Sequence, residues 1–228
     1  MNSVIVILGT VLVVLIIYML FKSYFDGKQT LVSQTKLDNM QEVVVVSRPT
    51  SAIFSYGIWV HIDKWPTNPT PGSIYFLFKR LTELEVYFTN NASLKIKAYD
   101  STSDASNTDI IVTNNFPIQK WVHIGIVVDN KIMDVYLDGK MVKSVELNKP
   151  LTPSDDKIIY GKSSTSSIAS DTHIAEHKRL TYAVDPQGMW DMYMEGNGIG
   201  GVNKVIGDMN VNLSILKDGV ESSKISLW

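Results

Sequence analysis

The chain has 228 residues, 45% of them hydrophobic, which is enough for one well-packed domain with additions at its ends. A formal net charge of −2 argues against a nucleic-acid surface, which would normally show a basic face. The absence of cysteine excludes disulfides and thiolate metal sites, and suits a reducing compartment.

The first element is Val4 to Phe21, an uncharged apolar run of about 18 residues, the length at which a helix can span a bilayer. It has no basic segment before it and no small-residue cleavage site after it, so it reads as a retained anchor rather than a signal peptide. Lys22, Lys28 and Lys36 follow the run, so the positive-inside rule places the C-terminal part on the cytosolic side. Residues 22–41 are polar without a clear period and read as a juxtamembrane linker.

Strands are expected at Val43 to Val46, Ile53 to Ile62, Ser73 to Phe78, Glu83 to Thr89 and Ser93 to Tyr99. From Trp121 to Leu147 the alternation of apolar residues is broken at Asp129-Asn130 and at Asp138-Gly139. Asp-Gly suits the positive φ of a type I′ turn, so this stretch predicts a three-stranded antiparallel meander. Lys157 to Tyr160 and His173 to Tyr182 supply two more strands around a Ser-rich loop. Asp185-Pro186 marks a helix start, with Asp as N-cap and Pro at the first helical position, and Gly196 a C-cap. Val211 to Ile215 and Ile225 to Leu227 alternate around Lys217-Asp218-Gly219, which predicts a terminal hairpin.

Three ordered blocks carry a family resemblance. Trp121-Val122-His123 followed by Val135-Tyr136-Leu137-Asp138-Gly139-Lys140, Ser55-Tyr56-Gly57-Ile58-Trp59-Val60, and the stretch from Ile174 to Gly196 together resemble laminin-G-like domains of the concanavalin A-like lectin/glucanase superfamily. The resemblance implies an all-β, antiparallel two-sheet jelly-roll sandwich with one short helix, preceded here by a single N-terminal transmembrane helix. The expected division is an anchor at 1–21, a linker at 22–41, a sandwich at 42–208 and a hairpin extension at 209–228. The resemblance also implies that Trp59 and Trp121 pack in the core.

Several motifs suggest chemistry. His173-Ile174-Ala175-Glu176-His177 matches H-x-x-E-H, but that zinc chemistry needs a helix, and a strand holds the two histidines too far apart to share an ion. Gly161-Lys162-Ser163 lacks the earlier glycine of a P-loop and the helix that should follow it. Glycosidases of the resembled superfamily carry alternating carboxylates on one strand. Glu83-Leu84-Glu85-Val86-Tyr87 breaks that series at Tyr87, so Glu83 is expected to be a surface residue and no hydrolase is predicted. Asp129 and Asp138 sit in tight turns where Asp has a local role. No metal site and no cofactor are assigned. The sequons at Asn91 and Asn212 fall in an Asn- and Ser-rich chain and read as chance.

Two binding functions remain. In the first, the protein is non-enzymatic and structural, tied to a lipid bilayer through Val4 to Phe21 and binding other proteins through Ile225, Leu227 and Trp228 on the terminal hairpin. Together the anchor and the three blocks resemble membrane-anchored laminin-G-like proteins of large, particularly algal, DNA viruses. That resemblance implies a minor capsid component at the interface between an internal virion membrane and the capsid. In the second, it is a lectin-like adhesion protein whose glycan contacts are Trp65, Asn90, Asn91, Asn114 and Asn115.

Overall fold

The computed structural model describes residues 9–19, 27–37, 41–44, 48, 50–65, 74–80, 83–89, 92–101, 107–151, 157–161, 171–198, 212–217 and 220–226. The chain divides into two compact units, Met1–Met194 and Glu195–Trp228.

The first unit holds two six-stranded antiparallel sheets. One runs in the order β1 (Lys28–Lys36), β12 (Thr172–Leu180), β3 (Ile53–Ile62), β8 (Trp121–Asp129), β9 (Ile132–Leu137) and β10 (Lys140–Glu146). The other runs β2 (Gln41–Val44), β11 (Lys157–Tyr160), β4 (Ile74–Arg80), β5 (Leu84–Thr89), β6 (Ser93–Ala98) and β7 (Thr108–Thr113). The expected two-sheet sandwich with one short helix is the observed architecture. On β3 the inward positions are Phe54, Tyr56, Ile58, Val60 and Ile62, and on β8 they are Val122, Ile124, Ile126 and Val128. Leu84, Val86, Phe88, Leu94 and Ile96 from the other sheet complete the same core, the alternation of a sheet with one face buried.

The meander turns as the sequence predicts, with φ of 47° at Asp138 and 74° at Gly139, although the first turn falls on Asn130 and Lys131. The helix starts as predicted. Asp185 Oδ1 accepts from the Gly188 N–H at 2.7 Å, and α2 runs over Pro186–Met194.

Part of the segment read as a linker is a strand. Residues Lys28–Lys36 form β1, an edge strand paired with β12 from Lys28↔Leu180 to Lys36↔His173, and Leu31 and Leu37 enter the core. Backbone pairing with β12 and the burial of Leu31 and Leu37 hold this segment although its sequence is mostly polar, so the sandwich begins before residue 42. The strand β7 was also absent from the sequence reading.

At the N-terminus a helix, α1, covers 9–19, with Val11 to Met19 between 49% and 69% exposed. The described part, about 16 Å at ~1.5 Å per residue, is shorter than a hydrocarbon core of ~30 Å. No helix among the described residues is long and apolar enough to cross a membrane. The ends of the Val4 to Phe21 run lie outside the described residues. In the second unit, β13 (Asn212–Lys217) and β14 (Val220–Ser226) form the predicted antiparallel hairpin, pairing Leu213 with Ile225.

Candidate functional site

The outer face of the first sheet carries the groups that can meet a ligand. Gly57 and Gly125 lie opposite each other on β3 and β8, and with no side chains there α2 settles directly on the sheet. A Cβ on Gly125 would collide with Met189, and one on Gly57 with Met192. Val127, Tyr136, Leu180 and Val184 join the two methionines in a second apolar cluster. Ser55 pins the approach to α2, donating to the Tyr182 carbonyl at 2.8 Å and accepting from the Val184 N–H at 3.0 Å.

Both expected core tryptophans belong to this outer face. Trp59 is buried, but it lies beneath Tyr193 of α2, stacked at 5.5 Å, because residues 54, 56, 58, 60 and 62 take the inward positions of β3. Trp121, at the start of β8, is half-buried beside the His61 ring at 5.3 Å.

Next to Trp121 three side chains converge. His61 on β3 pairs directly with His173 on β12, and Asp63 follows two residues after His61, just past the strand end. The Asp63 N–H donates to the Asp171 carbonyl at 3.0 Å, which fixes the backbone there. The Asp63 carboxylate lies 3.1 Å from His61 Nδ1 through one oxygen and 3.3 Å from His173 Nδ1 through the other. The potential ligand atoms of the three residues lie within 4.8 Å of one another. The side chains of His61, Asp63 and His173 are 19%, 46% and 32% exposed, so the cluster opens to solvent. Sequence reading missed it, because only the β3–β12 register brings His173 to His61.

The H-x-x-E-H segment is a strand, as expected, and a bulge separates its histidines further. Glu176 has φ of 47°, and the register shifts between Ala175 and Lys178. His173 therefore stays on the outer face while His177 turns into the core.

Inside the core a second polar group forms. Arg80 donates to Glu83 Oε2, the Tyr56 hydroxyl donates to Glu83 Oε1 at 3.0 Å, and Tyr160 shares a hydrogen bond with His177 Nδ1. Glu83 is thus fully buried, which corrects its assignment to the surface, and an ion pair with Arg80 holds it there. Burial pushes the Glu83 carboxyl up, against the pull of Arg80 and Arg179. Burial alone pushes His177 down to about 3, and burial raises the hydroxyls of Tyr56 and Tyr160. Phe78 packs on the His177 ring at 4.6 Å and Tyr56 at 5.6 Å.

The other sequence candidates are dispersed. Trp65 is half-buried and meets Tyr75 and Phe88 edge-on at 5.4 and 5.9 Å, covering that part of the core. Asn114 and Asn115 are exposed, and Asn114 Oδ1 accepts from Ser93 at 3.0 Å. Asp138 takes its place in the turn with φ of 47°, and its Oδ1 also reaches back to accept from the His123 N–H at 2.9 Å. Ile225 is a residue of β14. Asn90, Asn91, Leu227 and Trp228 lie outside the described residues.

A two-sheet antiparallel sandwich with a helix packed on one outer face defines a lectin-like sandwich domain. The chain belongs to the concanavalin A-like lectin/glucanases superfamily, whose laminin-G-type family model matches residues 37–187. A comparison with curated protein sequences returned no match. Among solved structures, the chain is similar to botulinum neurotoxin type C, described as depending on interaction with two ganglioside molecules to reach the cell interior. Identity is 12% and the TM-score 0.55, over 75% of this chain and 51% of that one. It is also similar to the binding domain of botulinum neurotoxin DC in complex with rat synaptotagmin II, at 15% identity and a TM-score of 0.56, over 75% and 52%. The serotype D binding domain matches at 12% identity and 0.57, over 75% and 52%. The chain spans about half the length of these structures, and the likeness is one of fold.

Proposed function

We propose that this protein is a non-enzymatic binding protein held at a membrane by its N-terminal segment. The observation that carries the non-enzymatic reading is the state of Glu83. It is locked in a buried ion pair, while Tyr87 stands where a further carboxylate would be needed and hydrogen-bonds Asp109 at 2.9 Å. Two carboxyl groups able to reach a glycosidic bond are not assembled on this strand.

The anchor reading is supported by the uncharged Val4 to Phe21 run and by the exposure of α1, which presents apolar side chains in all directions. The specific form we favour is a structural one, a minor capsid component that ties an internal virion membrane to its shell. Its support is the combination of anchor, cysteine-free domain and terminal hairpin. Carbohydrate binding is the second reading, favoured by the likeness to a toxin whose uptake depends on gangliosides and by the exposed Asn114 and Asn115.

Alkaline carbonate washing of membranes tests the anchor. The full chain is expected to stay in the pellet, whereas a chain beginning at Gly27, which retains β1, is expected in the supernatant. Release of the full chain would overturn the reading. Removing residues 210–228 should abolish association with partner proteins if the structural form holds. Glycan-array binding lost on Asn115→Ala, at an exposed position, and unaffected by that removal, would favour the lectin instead.

A further inference from the structure

We propose that His61, Asp63 and His173 form a binding site for a divalent transition-metal ion of the zinc class, on the outer face of the first sheet. The argument starts from strand register. Residues directly opposite in an antiparallel pair bring their Cβ atoms to about 4.5–5.5 Å, so two histidines at such a pair present their rings side by side. His61 and His173 are such a pair, and Asp63 lies on the same face as His61 because side chains alternate with a period of two.

The distances fit coordination. Zinc binds histidine nitrogen at about 2.0–2.1 Å and carboxylate oxygen at about 2.0–2.2 Å, so neighbouring ligand atoms of a tetrahedron stand about 3.3–3.5 Å apart. The carboxylate oxygens of Asp63 already lie 3.1 and 3.3 Å from the two Nδ1 atoms. All three ligand atoms fall within 4.8 Å, so small side-chain rotations bring them onto one ion.

The donor set selects the metal. Two imidazoles and one carboxylate suit zinc, nickel, cobalt or copper, whereas calcium takes six to eight oxygens and magnesium an oxygen octahedron. Of the cations near the cluster, Lys36 is taken up by Asp171 at 2.7 Å, and Lys64 also acts on Asp171. Three protein ligands leave a coordination position open to water or to a donor from a partner, and the exposure of the cluster gives access to it. The site is independent of the H-x-x-E-H motif. It uses His173 and excludes His177, which the bulge has turned into the core.

The test is isothermal titration of the full-length, chelator-stripped protein with zinc chloride, paired with tryptophan fluorescence during titration with copper(II). One zinc per chain is expected. Asp63→Asn, an isosteric change at an exposed position, and His173→Ala should each weaken binding at least about tenfold while leaving the metal-free melting temperature within about 2 °C. Copper should quench fluorescence, and Trp121→Phe should remove most of that quenching with zinc stoichiometry unchanged, because Trp121 is the indole beside His61. Absence of zinc binding at 100-fold excess over protein would overturn the proposal. So would zinc binding that Asp63→Asn leaves intact, or calcium competing with zinc at equal concentration.

Discussion

The strands β3 and β12 carry two polar clusters on opposite faces, and their contrast shows how one pair of strands can make similar residue types inert or available. Inward, Tyr56 and His177 join Arg80, Glu83 and Tyr160 in a buried hydrogen-bonded group. Outward, His61 and His173 meet Asp63 in a cluster open to solvent. The bulge at Glu176 assigns the two histidines of β12 to different faces. Strongly displaced protonation marks the inner group, and burial is its largest cause.

The largest test breaks the inner cluster. Arg80→Met leaves Glu83 buried without its cation and should cost about 3–5 kcal/mol in denaturant unfolding, the usual penalty for halving a buried ion pair. Asp63→Asn, the outer counterpart, should move stability by less than about 0.5 kcal/mol. Equal effects would erase the distinction between the faces.

The cover over the outer face is tested next. Gly125→Ala places a methyl group against Met189 and should cost about 1–3 kcal/mol by overpacking, with α2 shifted off the sheet. Fluorescence of Trp59 under Tyr193 should report that shift.

A pH series sharpens the comparison further. His177 stays neutral in the folded protein down to about pH 3, while the unfolded chain takes up its proton below about 6.5. Stability contributed by this group is therefore present above 6.5 and lost as pH falls towards 3, at about 1.4 kcal/mol per pH unit where only the unfolded chain is protonated. Glu83, raised from its ordinary value of 4.5, acts in the opposite sense above that pH, since its contribution is lost as pH rises. The histidine contribution should thus emerge below about pH 4.5, and His177→Gln should flatten the stability profile there.

The smallest expected effect is at the helix start. Asp185→Ala removes the cap on the Gly188 N–H and should cost about 1 kcal/mol, read as a lowered melting temperature.

Much of the fold was legible because its signals are local. Alternation marked β3 at its observed bounds, Asp138-Gly139 marked a turn, and Asp185-Pro186 marked the helix. The edge strand β1 was not legible, since KQTLVSQTK reads as mostly polar and its order comes from backbone pairing with β12 and the burial of Leu31. The burial of Glu83 was hidden for a related reason. Its partner Arg80 is close in sequence, but only the closed sandwich removes both from water. Trp59 followed the strand period correctly, yet period alone does not tell the inner face from an outer face covered by a helix. The outer cluster required the β3–β12 register, which joins His173 to residues far upstream, and no spacing motif records that.

Diethyl pyrocarbonate labelling of the native protein, followed by peptide mass spectrometry, tests the contrast between the faces most directly. His61 and His173 should be modified while His177, fully buried in the core, remains protected until the protein unfolds. Modification of His177 in the native state at the rate of His173 would contradict the account.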